Sequence, residues 1–130
     1  MLVDKHDGDD ELLAGIVADA GRKYTVFPGL FNGLAGLGNF LLDCHQLLHD
    51  DSYLTTAREI ARGIQLFAVE RPTGIAFPGD FLTRLSMDYG MGSAGIATMF
   101  YRLINGSRNQ NFVLDSLLVL ASEMFEQKTA

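Results

Sequence analysis

Four residues in the second half of the chain have side chains suited to proton transfer. They are Asp80, Arg84, Asp88 and Tyr89, spread over ten positions of glycine- and proline-containing sequence. A carboxylate there could act as a general base, and a phenol or carboxylic acid as a general acid. Asn32, earlier in the chain, could donate a hydrogen bond to an oxyanion. The competing reading is that the acids and the arginine cap and pair within a loop, and that Asn32 caps a helix. Cys44-His45 invites a metal reading, as do His45 and His49 at i, i+4 spacing. The position that would hold a metalloprotease glutamate is Gln46, and no third ligand is evident. The expectation is therefore no metal, with a packed Cys44 and partly exposed histidines.

These residues flank two glycine-led segments. Gly33-Leu34-Ala35-Gly36-Leu37-Gly38 runs straight into an apolar stretch, and Gly92-Ser93-Ala94-Gly95-Ile96 repeats the form 59 positions later. Glycines at a helix start let backbone or ligand approach closely, and the first N–H groups of a helix lack intrahelical partners. Gly33, Gly36 and Gly92, with Arg84, are the candidate substrate contacts. The order is G-x-x-G-x-G with no clear strand before it, so it is not the dinucleotide fingerprint.

Helices must carry these segments. Asp9 and Asp10 suit the cap of a first helix whose apolar stripe is Leu12, Leu13, Ile16, Val17 and Ala20, with Gly21 as its stop. Residues 33–49 are apolar nearly all round, the pattern of a buried helix. Asp50-Asp51-Ser52 breaks it and caps a third helix over 53–68, amphipathic through Ala57, Ile60, Ala61 and Ile64. Residues 69–91 read as a long loop, and Phe-Pro-Gly occurs in it at 77–79 as at 27–29. A fourth helix covers 93–105, with Gly106 as its stop, and a fifth covers 110–127 with Phe112, Leu117, Leu120 and Met124 inward. The expected fold is all-α: about five helices in two and a half repeats, each pairing a buried inner helix with a half-exposed outer one. The glycine-led ends should gather on one face.

The chain has 130 residues, 48% of them hydrophobic, and a net charge of −6. The acidity argues against nucleic acid as a partner. Residues 1–8 read as an acidic lead-in. One cysteine allows no internal disulfide, so a reducing cytoplasm is the default. No run of about 18 apolar residues marks a membrane span, and no apolar leader is seen.

The glycine segments, together with Asp88-Tyr89-Gly90-Met91 before the second, resemble the repeats of lanthionine synthetase C-like cyclases. The match is closer to the cyclase domain of class III lanthipeptide synthetases, the lyase–kinase–cyclase enzymes, and covers about residues 11–126. The resemblance implies a partial α/α toroid, the C-terminal fragment of such a domain, spanning 1–130. It implies thioether formation by Michael addition of a cysteine thiolate to a dehydroamino acid of a precursor peptide, with labionin where the enolate attacks a second one. Zinc-dependent members carry Cys-His-Gly where this chain has Phe31-Asn32-Gly33, so no cofactor is implied. Asp88, Tyr89, Asp80 and Asn32 are then the candidate catalytic groups. The implied partners are the precursor peptide or the rest of the synthetase, with self-association through open ring edges. No kinase motif is present. Two other readings stand beside this one. One is a non-catalytic helical module that binds a peptide or partner chain. The other is a toroid glycosidase using Asp80 and Asp88, which the lack of tryptophan disfavours.

Overall fold

The computed structural model describes residues 7–22 and 25–109. Its elements are α1 (Asp7–Ala20), α2 (Leu34–Leu48), α3 (Asp51–Gln65), the strands β1 (Val69–Arg71) and β2 (Gly74–Ala76), a 3-10 turn (Asp80–Leu82) and α4 (Ser93–Asn105). The expected helix over 110–127 lies outside the described residues. Within them the fold is mostly helical.

α2 is the centre. Leu34, Ala35, Gly38, Leu41, Leu42 and Cys44 are buried at positions that run round much of its circumference. α3 lies against it with Ala57, Ile60, Ala61 and Ile64, all buried, while Arg58 and Arg62 face water. Ile96 and Met99 of α4 and Phe77 from the connecting segment complete the same cluster. Burying a branched side chain such as Ile60 or Ile64 stabilises by roughly 1.5–3 kcal/mol. Gly38 lets α4 come close: a Cβ there would lie 2.2 Å from the Met99 methyl.

The helix ends follow from their sequences. Asp50 caps α3, its Oδ1 accepting from the Ser52 N–H at 2.8 Å. Both α2 and α4 close on a left-handed residue, His49 (φ 55°) and Gly106 (φ 62°), whose N–H bonds the carbonyl four residues back.

Four expectations need correction. Residues 69–91 are not a plain loop. β1 and β2 pair antiparallel, Val69 opposite Ala76, through the turn at Pro72-Thr73, and Pro78 bridges to Leu85. Strands of three residues are too short to show a period-2 pattern, so composition alone marked the segment as loop. α3 ends at Gln65, not 68, because the chain there tightens into i→i+3 bonds from Leu66, Phe67 and Ala68. The stripe on α1 is buried only at its C-terminal end. Ala20 is enclosed and Val17 touches the core, but Leu12 and Ile16 are 64% and 47% exposed. Amphipathic spacing says which face can be buried, and α1 meets the core by its last turns alone. It also begins at Asp7, ahead of the expected cap and inside the expected lead-in.

Candidate functional site

The two glycine-led helix starts are built the same way. The Leu34 N–H bonds the Phe27 carbonyl at 3.0 Å, and the Ser93 N–H bonds the Ser86 carbonyl at 2.9 Å. These donors and acceptors are 59 positions apart, the spacing of the glycines. A Cβ on Gly33 would lie 2.3 Å from the Phe27 oxygen and one on Gly36 2.2 Å from the Leu30 oxygen; on Gly92 it would be 2.5 Å from the Ser86 oxygen and on Gly95 2.0 Å from the Tyr89 oxygen. Each glycine thus packs on the carbonyl six residues before it. Gly33 and Gly92 have ordinary negative φ, so the missing Cβ, not backbone freedom, is what these sites use. The close approach is to the chain's own backbone. The counterpart of Phe27 in the second repeat is therefore Ser86, not Phe77.

The junctions are joined to each other. The N–H groups of Leu30 and Phe31 both donate to the Gly90 carbonyl at 2.9 Å. Gly90 lies against the Phe31 ring, and Phe31 meets Tyr89 edge-on with centroids 6.4 Å apart. So the structure brings Asn32, Asp88 and Tyr89 onto one end of the helices. Asn32 is exposed and does not cap α2, which starts at Gly33 without a side-chain cap. Phe31 is 72% exposed and forms a ridge between two depressions. One takes in Asn32 and Gly33, the other Tyr89; neither includes Asp80 or Arg84.

Asp88 is engaged by its own loop. Its Oδ1 accepts from the Met91 N–H at 2.7 Å, and its Oδ2 accepts from the Ser86 hydroxyl. The Ser86 hydroxyl first, and the Met91 N–H next, hold its carboxyl below the usual carboxylate range. It is a carboxylate at neutral pH and a weak base. Asp80 and Arg84 are both exposed, in a turn closed by the Gly79 N–H on the Arg84 carbonyl at 2.9 Å. Phe81, with φ 55°, ties that turn to the first junction through its ring contact with Phe27 at 6.3 Å.

Cys44 is buried, and burial, helped by the neighbouring Asp43 charge, pushes its thiol upward. His45 Nδ1 lies 3.0 Å from the Asp50 carbonyl, joining the end of α2 to the start of α3. Among the described residues no three His, Cys, Asp or Glu side chains gather as a metal-holding group.

A polar centre lies beside the junctions that the sequence reading missed. Arg102 of α4 is 2% exposed. Its guanidinium donates to Asn39 Oδ1 at 2.7 Å, to Asp43 Oδ1 at 2.7 Å and to the Ser107 carbonyl at 3.3 Å. Asn109 donates to Asp43 Oδ2 at 2.9 Å. Arg102 is the only charged residue of α4 and Asp43 the only acid of α2, 59 positions apart. Lone opposite charges at equivalent repeat positions on two apolar helices were the available signal. Among the described residues Asn39 Nδ2 is buried without a partner. Asn39 and Asp43 line a cavity of about 450 Å³ whose other walls include Leu30, Phe31, Phe40 and Tyr89.

No known protein family, curated protein or solved structure matches the chain.

Proposed function

We propose that the chain is part of a zinc-independent lanthionine or labionin cyclase domain, a segment of an α/α toroid acting on a dehydrated ribosomal precursor peptide. The observation that supports it is the helix start built twice, 59 residues apart, with both copies tied together at one end. Repetition of one junction is how a ring of helix pairs grows, and a shared glycine-rich end is where the resembling cyclases work. The setting is the reducing cytoplasm, where a substrate thiol stays free.

In this reading the precursor peptide crosses the Phe31–Tyr89 ridge. A substrate thiolate adds to Cβ of a dehydroalanine or dehydrobutyrine, the electron pair passes to the carbonyl as an enolate, and a proton at Cα completes the thioether. Tyr89 is the proton donor, and Asn32 steadies the enolate oxygen. Asp88, already ionised, supplies no proton. It holds the loop that carries Tyr89, and Asp80 and Arg84 contact the peptide outside the ridge. The rest of the synthetase is the natural partner, completing the ring.

The test is thiol alkylation followed by mass spectrometry on a dehydrated class III precursor mixed with the chain, with and without a chelator. Loss of alkylatable cysteine in both samples, faster than in buffer, supports the reading. Protection only without chelator would replace it with a metal-assisted one. No protection, even with the remainder of a synthetase added, leaves a second reading, a non-catalytic peptide-binding module. The commitment of both Asp88 oxygens to loop bracing favours that alternative.

A further inference from the structure

We propose that copies of this chain associate head to tail, the α4 face that carries Ala97, Tyr101 and Ile104 on one copy seating in the groove between α1 and α2 on the next. The occupant of the groove is a second copy of this chain. The contact stands on the 59-residue recurrence, whether or not the chain forms thioethers.

The recurrence gives each face its partner. Inside one copy, α4 joins the core of α2 through Ile96 and Met99, and the Met99 methyl lies 2.2 Å from where a Cβ on Gly38 would stand. Gly38 and Leu42 of α2 are buried in that packing. Their counterparts 59 positions on are Ala97 and Tyr101, and both are exposed. α4 therefore repeats outward the small-then-large surface that α2 buries. The counterparts of Ile96 and Met99, 59 positions earlier, are Leu37 and Phe40 of α2. These are half-buried and form one wall of a groove of about 490 Å³, with Ile16 and Ala20 of α1 on the other. So α2 shows toward α1 the residues by which α4 joins α2. α1 covers that side only by its last turns and leaves Leu12 and Ile16 exposed beside it. The two faces are thus the two halves of a contact that the molecule already makes once, and helices that meet by the same rows of side chains pack alike. Asp19 and Arg22 at the groove rim pair with each other at 2.8 Å, so a helix seated there strands neither charge. Each copy carries a net charge of −6, which opposes association. Apolar burial must supply the attraction, and salt should strengthen it by screening the repulsion.

The experiment is sedimentation velocity on the full chain with two variants, each alone and then mixed in equal amounts. Ile104→Asp blocks the α4 face, and Ile16→Asp blocks the groove. Alone, each variant should stay monomeric where the wild type grows, with self-affinity lower by about tenfold or more. The mixture should regain association and stop at a dimer, because one intact α4 face meets one intact groove and the two remaining faces are blocked. Raising salt from about 0.05 to 0.5 M should strengthen association of the wild type. Where either variant fails to melt cooperatively, Tyr101→Asp or Leu12→Asp takes its place, one turn away on the same side. Growth that persists in Ile16→Asp alone would mean that α4 faces pair two-fold; growth that persists in Ile104→Asp alone would mean that the grooves do. Either result overturns the proposal. So does a mixture that stays monomeric, or a wild type that stays monomeric because the chain's own residues 110–127 take the α4 face.

Discussion

Arg102 holds α4 to α2 through three acceptors, Asn39 Oδ1, the Asn39 carbonyl and Asp43 Oδ1, and its charge is enclosed while that of Asp43 is 42% exposed. Removing one partner of such a pair strands the other, which is costlier than losing the pair. Arg102→Ala should therefore destabilise by about 3 kcal/mol, the low end of the range for buried pairs because Asp43 can still reach water. Arg102→Met with Asp43→Asn should recover much of it; urea midpoints of the single and double variants check both statements. Asp88 gives a pH prediction. Its carboxyl is depressed from an ordinary 3.8 by the Ser86 hydroxyl and the Met91 N–H. A depressed carboxylate contributes stability that is fully present above its unfolded value and lost as pH falls through the folded one. The stability gap between wild type and Asp88→Asn should be constant above about pH 5 and shrink as pH drops below about 4. A gap that stays level into acid would mean the Ser86 and Met91 contacts do not hold in solution.

At the scale of elements, the glycines fall into two groups that the sequence does not distinguish by type. Gly36 and Gly95 have a carbonyl within 2.2 Å of where a Cβ would stand, whereas Gly15, inside α1, has nothing within 4 Å. Alanine at 36 or 95 must push backbone aside and should destabilise by about 1–3 kcal/mol or more. Alanine at 15 should stabilise by about 0.5–1 kcal/mol, since glycine is a poor residue in a helix interior. Thermal melts of the three variants, with opposite signs for the two groups, are the check. The special role of the first group was legible as spacing: Gly33 and Gly36 recur as Gly92 and Gly95, and periodicity located α2, α3 and α4 to within a few residues. What spacing could not carry was contact. It placed Leu12 and Ile16 on a buried face that nothing among the described residues covers. It also passed over Arg102 and Asn39, because a polar residue in an apolar helix shows its meaning only when its partner is beside it.

The described part of the molecule is organised by that 59-residue recurrence, and among the described residues one face of α4 is left open. α2 is flanked by both α3 and α4. On α4, by contrast, Tyr101 and Ile104 are 62% and 81% exposed, one turn apart on the same side, with Ala97 exposed a turn before them. Leu47 of α2 is 80% exposed as well. Contiguous apolar surface of this kind favours association, and a patch that meets a different patch on the next copy pairs head to tail rather than two-fold. Sedimentation velocity should then show weight-average mass rising with concentration without a closed dimer plateau, and Ile104→Asp should suppress the rise while leaving the melting temperature nearly unchanged, because an exposed side chain contributes little to folding. The same variant separates an open edge from a functional surface. If association disappears while any thioether formation persists, the edge and the working surface are separate. A concentration-independent monomer in the wild type would mean that this face needs no cover, and the partial-ring reading would lose its main physical consequence.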